Sequence, residues 1–343
     1  MTRPGDGDRA EPVTTGGTIA VANLHAQVDG LTARVLSALP PTPAAPMSTG
    51  EPLVLIDLLI LRGHVLGRVA DYERAAGLAG RLARGAAGDG QALLARARTR
   101  ATFHRFAEAL ADLRAAERLG LGGASLAAQR AEILQATGAH AEAGELHRDA
   151  ARRRPDFATL GALAVFHAER GELAEAERWF TEARQRYQGT SPFPVASLDY
   201  RRGLMWHGQG DRPAASSWFG ASLRRVPAYA PALGRLAEID TARGDHQAAI
   251  GRLRPLASSS DDPGHAAALA RALAAAGQHS EAGQWHGRAA ARYDELARRH
   301  PQAFAGHAAD FRRRGPSLDP RPCDDGHSPP RRQSFAAAWP YGR

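Results

Sequence analysis

An all-α solenoid is the fold class that this 343-residue sequence predicts, and three observations predict it. Alanine recurs at Ala75, Ala109, Ala143, Ala176, Ala215, Ala249 and Ala282, in steps of 34, 34, 33, 39, 34 and 33 residues. Twelve residues before each of them stands glycine or alanine: Gly63, Ala97, Ala131, Ala164, Gly203, Ala237 and Ala270. Between these two columns the last five units carry Gly138, Gly171, Gly210, Gly244 and Gly277. A period near 34 belongs to helix–turn–helix units stacked in line, each unable to bury its apolar face alone.

With the recurrent alanine set as position 20, further columns fall into place. Small residues at positions 8 and 20 let the two helices of a unit approach closely. Glycine at position 15 supplies a left-handed turn between them. Leu113, Phe180, Phe219 and Leu253 fill position 24, and position 27 is again small at Ala116, Ala150, Ala183, Ser222 and Ala289. Pro155 and Pro227, at position 32, end the second helix. In the first unit Ala70 stands at the expected turn position, and in the second His104 does.

These columns resemble the tetratricopeptide repeat over about seven units, from Leu53 to Asp310. The segments 171–183 (GELAEAERWFTEA) and 138–155 (GAHAEAGELHRDAARRRP) match it best. Segments 191–206 and 292–311 are also similar to an uncharacterised bacterial family of such proteins. The resemblance implies a right-handed solenoid with capping helices and a concave face lined by the first helix of each unit.

The elements follow in order. Residues 1–17 read as an unstructured leader. Leu24, Val28, Leu31 and Val35 lie on one helical face, which predicts an amphipathic helix over 18–39, capping the first repeat. A proline-rich linker follows at 40–51, then the solenoid over 52–313, ending in a capping helix near 302–313. The 39-residue step places extra residues at 187–195, where Pro192 and Pro194 predict a long loop or bend. Residues 314–343 read as a disordered basic tail.

Composition narrows the function. Every one of the 44 cationic Lys+Arg residues is arginine, so lysine-dependent Schiff-base, P-loop and kinase chemistries are excluded. The net charge of +8 is spread along the chain and gives little support to nucleic-acid binding. Cys323 is the single cysteine, which rules out an intrachain disulfide. The N-terminus lacks an apolar signal stretch, and a cytoplasmic location is expected.

Fragments that imitate chemistry do not assemble into it. His147, Arg148 and Asp149 look like a kinase catalytic loop but fall inside a second helix. His279 and His286 are two turns apart on one helix, too far for a shared metal. Cys323 and His327 stand alone in the tail. No catalytic residue, cofactor or metal is expected. Trp179, Trp218 and Trp285 share position 23, which suits packing between repeats.

The expected function is therefore non-enzymatic: a scaffold holding a peptide or protein partner in the concave groove. By the resemblance, the groove is lined by positions 2, 5, 9, 12 and 13, which places His64, Arg68, Gln91, Arg98, Glu132, Gln135, Glu169, Tyr200, His207, Glu238 and Arg271 there. Arg201 and Arg235 stand at its edge. The clamp by which some relatives grip carboxylate tails needs lysine and asparagine, and Asn23, outside the repeats, is the sole asparagine. The alternative is arginine-mediated binding of nucleic acid or another anionic ligand. Arginine also occupies the normally apolar position 7, at Arg62, Arg96, Arg130 and Arg202, either as a packing adaptation or as an anion-binding stripe.

Overall fold

A computed structural model describes residues 12–38 and 48–314. Among them run sixteen helices and no strand. The N-terminal helix α1 (Gly17–Ser37) precedes seven pairs. These are α2 (Gly50–Leu66) with α3 (Val69–Gly85), α4 (Gly90–Thr102) with α5 (Phe106–Arg118), and α6 (Ala124–Ala136) with α7 (His140–Arg153). Next come α8 (Phe157–Glu169) with α9 (Leu173–Gln185), α10 (Pro192–Gly208) with α11 (Arg212–Arg225), and α12 (Ala230–Ala242) with α13 (His246–Ser259). The last pair is α14 (Pro263–Ala275) with α15 (His279–Arg299), and α16 (Pro301–Arg314) ends the array.

The repeat columns are the contact points between paired helices. The alanines at position 20 are all but inaccessible to water. Position 8 is glycine where an aromatic ring of the second helix fills the space: a Cβ on Gly203 would stand 2.6 Å from the Phe219 ring. Five helices start on an aspartate cap, Asp89, Asp156, Asp211, Asp245 and Asp262, each accepting a backbone N–H of the first turn.

The turns follow the sequence except in the first unit. Gly138, Gly171, Gly210, Gly244 and Gly277 all take positive φ, and His104 takes the same conformation at 58°. In the first unit the turn lies at Gly67 (φ 64°), and Ala70 is already inside α3. Only glycine enters the left-handed region without cost from its own Cβ, so the turn forms where the glycine is.

The 39-residue step also resolves differently from a loop. Pro192 and Pro194 lie in the first turn of α10, where proline's missing N–H is no loss. Most of the extra residues lengthen α10, and Phe193 and Val195 are buried there. Phe193 joins one core and Val195 another, so α10 bridges the core of units three and four to that of units one, five and six.

That second core closes the array. Apolar residues of α1, α2 and α3 pack in one continuous cluster with Phe219, Val226, Tyr229, Leu236 and Ile239 of α11, α12 and the link between them. Helix α2 packs on α12 as well as on α4. The solenoid therefore returns on itself after little more than five units. Helix α1 caps α2 but also straps this seam: Gly17 lies directly against the Arg225 carbonyl. Pro12 and Thr15, placed in the leader by sequence, are tied to the body through Arg225 and Thr190. The tail with Cys323 and His327 lies outside the described residues, as does the linker over 39–47.

Candidate functional site

First helices of successive units pack on one another, α2 on α4, α4 on α6, α8 on α10 and α12 on α14, and the side they form, the inner face, has two parts. The arc is built from units two to four. The seam is where unit one meets units five to seven.

On the arc two pairs of polar residues join neighbouring units. Arg98 on α4 donates to Asp57 on α2 at 2.9 Å. Gln135 on α6 donates through Nε2 to Glu169 on α8 at 2.8 Å, while its Oε1 lies 2.9 Å from His147 Nε2. Glu132 accepts a long hydrogen bond from Gln129. Gln91 and Glu169 are exposed, and Arg98, Glu132 and Gln135 are partly so. Burial holds the His147 imidazole down at about 4, with His167 adding to it.

At the seam the inward residues are enclosed. His64 on α2 is not on an open surface: its Nε2 shares a 2.6 Å hydrogen bond with the Tyr229 hydroxyl, and the two rings meet edge to face. Burial, assisted by Arg201, holds His64 down at about 3, so the imidazole is neutral. Burial also raises the Tyr229 phenol above its usual range. Tyr200 packs on Phe219 and Tyr229 and hydrogen bonds to Arg235, which also holds Glu238 at 2.7 Å. His207 is half-buried beside Phe219, its pKa lowered by burial and then by Arg235. Arg68 caps α3 near Asp71, and Arg271 lies exposed on α14, further along the array.

Tyr229 was not singled out by the sequence reading, because it stands in the link between units and in no repeat column. Its one signal is an aromatic ring between Pro227 and Pro231 in an otherwise short connection.

Polar clips complete the seam. Ala70 N–H donates to Asp261 at 3.0 Å. Arg292 holds Asp261 at 2.8 Å and Glu73 at 3.4 Å, and His300 reaches Glu73 at 3.0 Å while stacking on Phe103. Ser260 and His265, 2.9 Å apart, look like a nucleophile with its base. The Ser260 hydroxyl, however, gives its only proton to the Gly67 carbonyl and accepts from His265 and from the Asp262 N–H. The pair is a clip between units one and seven, with no proton left for a base to remove.

The arginines at position 7 are a packing adaptation. Arg62 is buried in a two-pronged pair with buried Asp71, both contacts 2.8 Å. Arg96 grips Asp112 in the same way, Arg130 holds Glu117 at 2.7 Å, and Arg202 pairs with Glu177 while lying 3.8 Å from the Trp218 ring centre. Each guanidinium thus satisfies its charge on a neighbouring helix. At position 24, His147 is buried and His286 stacks on Phe311.

No family model matches the sequence, and no curated protein does. Solved structures do resemble the fold. The human IFIT1 dimer with m7Gppp-AAAA aligns at TM-score 0.53 and 14% identity, covering 85% of this chain and 77% of that one. The APC/C hetero-tetramer Cut9-Hcn1 aligns at TM-score 0.50 and 17% identity, over 74% of this chain and 48% of that one. At such identities the likeness is one of fold, and the fold is a tetratricopeptide-type helical solenoid. No helix among the described residues is long and apolar enough to cross a membrane.

Proposed function

We propose that this chain is a non-enzymatic interaction scaffold that holds a peptide or protein partner on the inner face of its solenoid. The observation that carries the reading is the contrast in how the inner face is finished. At the seam, burial and internal hydrogen bonds use up His64 and Tyr229. On the arc, Gln91 and Arg98 of unit two, Glu132 and Gln135 of unit three and Glu169 of unit four remain accessible to water. Side chains of this kind, several of them steadied by neighbours yet still open to water, suit recognition of a polar, extended partner.

The contacts favour Gln91, Arg98, Glu132, Gln135 and Glu169 as the binding residues, with His207, Glu238 and Arg271 as an extension beyond the seam. His64 and Tyr200 act by holding the seam in place. The inner arginines do not form an anion track, since Arg98 faces Asp57 and Arg235 faces Glu238. We assign the protein to the cytoplasm, because a single cysteine leaves the fold no disulfide to depend on.

Site-specific photo-crosslinking tests the reading. A photoreactive residue at Gln91, Glu132 or Glu169 should capture a discrete partner from the native cell, and one at Arg178 on the outer face should not. Crosslinks formed from the outer position alone would end it.

A further inference from the structure

Arg98, Arg235 and the arginines of position 7 have acids to hold, whereas most of a set on the second helices does not. Positions 25 and 29 of the second helices in units one to three carry Arg84 on α3, Arg114 and Arg118 on α5, and Arg148 and Arg152 on α7. Arg118 and Arg152 each follow their counterpart by 34 residues, as Arg148 follows Arg114. All five are exposed. Arg152 touches Asp149 at 3.4 Å. Arg84, Arg114, Arg118 and Arg148 make no ion pair among the described residues. Equivalent positions of stacked units share a face, so the five form one ladder across three units.

Such a ladder is unfavourable in the free protein. Like charges four residues apart on a helix repel, as Arg114 does Arg118 and Arg148 does Arg152. The helix dipole compensates arginines in a last turn, which accounts for Arg84, Arg118 and Arg152. It does nothing for Arg114 and Arg148, a full turn earlier.

The surroundings narrow the ligand. Helices α3, α5 and α7 carry no exposed aromatic residue, and position 22 beside the ladder is Gly77, Ala111 and Glu145. Leu119, at the end of α5, is the large apolar group beside it. A protein interface needs a buried apolar or aromatic centre, a membrane-surface helix needs an apolar face, and single-stranded nucleic acid is held by stacking on rings. Bare guanidinium groups in a row suit phosphate oxygens, which they bind in pairs without reading bases. We infer that this outer face of units one to three docks the phosphodiester backbone of a nucleic-acid duplex, independently of sequence. The inference does not rest on the reading of the inner face.

Fluorescence anisotropy of the full chain with a short labelled DNA duplex of mixed sequence tests it, with an RNA duplex as a second arm to distinguish the source of the backbone. Five phosphate contacts predict a slope of log affinity against log salt of about −4.5, and a loss of nearly three orders of magnitude between roughly 50 and 200 mM salt. The variant R84Q/R114Q/R118Q/R148Q should lose more than tenfold in affinity at low salt and flatten the slope to about −1. The control R212Q/R243Q, exposed arginines elsewhere, should change neither. If the fourfold variant melts early, R114Q/R148Q alone should flatten the slope by about 2. Absence of duplex binding at low salt, or a slope unchanged by these substitutions, overturns the inference. So does ladder-dependent binding of polyglutamate or anionic lipid vesicles in preference to duplex, which would make the face a dock for acidic protein or membrane.

Discussion

The seam and the arc are made from the same repeat, yet they use their polar residues in opposite ways. In the first unit, which forms one side of the seam and is covered by α1, Arg62 and Asp71 face each other almost wholly out of water, with side-chain exposures of 3% and 2%. On the arc the equivalent arginine, Arg130, holds a Glu117 that is 55% exposed. One sequence position thus yields a buried ion pair in the unit that α1 covers, where His25 and Asp29 also face Arg62, a half-buried pair at Arg96–Asp112, and a surface pair at Arg130. The lesson is that repeat register decides which residues can meet, and the helix laid over them decides the dielectric in which they meet.

The sharpest break in that comparison is Asp71→Ala. It leaves the Arg62 guanidinium buried without its main counter-charge, and the expected loss is about 3–5 kcal/mol of unfolding free energy. Chemical denaturation should show it, with the exposed Asp29 recovering only a small part. A midpoint unchanged from wild type would mean that Arg62 is hydrated in solution and α1 does not cover it.

Acid acts on both regions. His64 at the seam and His147 on the arc are both neutral in the fold, held at about 3 and about 4. In the unfolded chain each takes up a proton near pH 6.5. As the pH falls below about 6.5 the unfolded state therefore binds protons that the folded state refuses, and stability drops, by at most about 1.4 kcal/mol per pH unit per histidine. The loss attributable to His147 ends near pH 4 and that of His64 near pH 3. Melting temperatures measured from pH 7 to pH 4 should fall less steeply in His64→Gln than in wild type. Parallel curves would show that His64 is hydrated.

A smaller effect separates the two regions directly. Tyr229→Phe removes the hydroxyl that His64 meets at 2.6 Å and leaves a buried ring nitrogen unsatisfied, for about 1–2 kcal/mol. Hydrogen exchange should quicken in α2 and α12 and stay unchanged in α6 and α8. Uniform quickening would argue that seam and arc open as one unit.

The smallest expected change is Arg130→Ala on the arc. Its partner is largely solvated, and pairs of that kind contribute about 0–1 kcal/mol. A loss as large as that of Asp71→Ala would erase the distinction between the two regions.

Much of this was legible in the residues. The columns at positions 8, 15, 20 and 24 located all seven helix pairs, because close helix contact demands small side chains at fixed spacing and a left-handed turn demands glycine. The apolar face Leu24–Val28–Leu31–Val35 located α1. The turn of unit one was misplaced, since Ala70 keeps the repeat spacing while Gly67 has the needed conformational freedom. Pro192 and Pro194 suggest a long loop or bend by composition, although proline is equally at home in a first helical turn. For the candidate site, the sequence placed Arg98, Gln135 and Glu169 on first helices, but it had no means of showing Gln135 joined to both Glu169 and His147.

What the sequence by itself determined is the repeat: its length, its turns, its tight contacts and the absence of lysine chemistry. All of these are local, set by side-chain size and backbone freedom within a unit. What only the tertiary structure decided is closure. The angle between successive units accumulates around the array, and no single column encodes it. That sum brings His64 to Tyr229, across 165 residues, and Glu73 to His300, across 227. Contacts at such separations depend on the geometry of every unit between them, which is why they appear in no pattern along the chain.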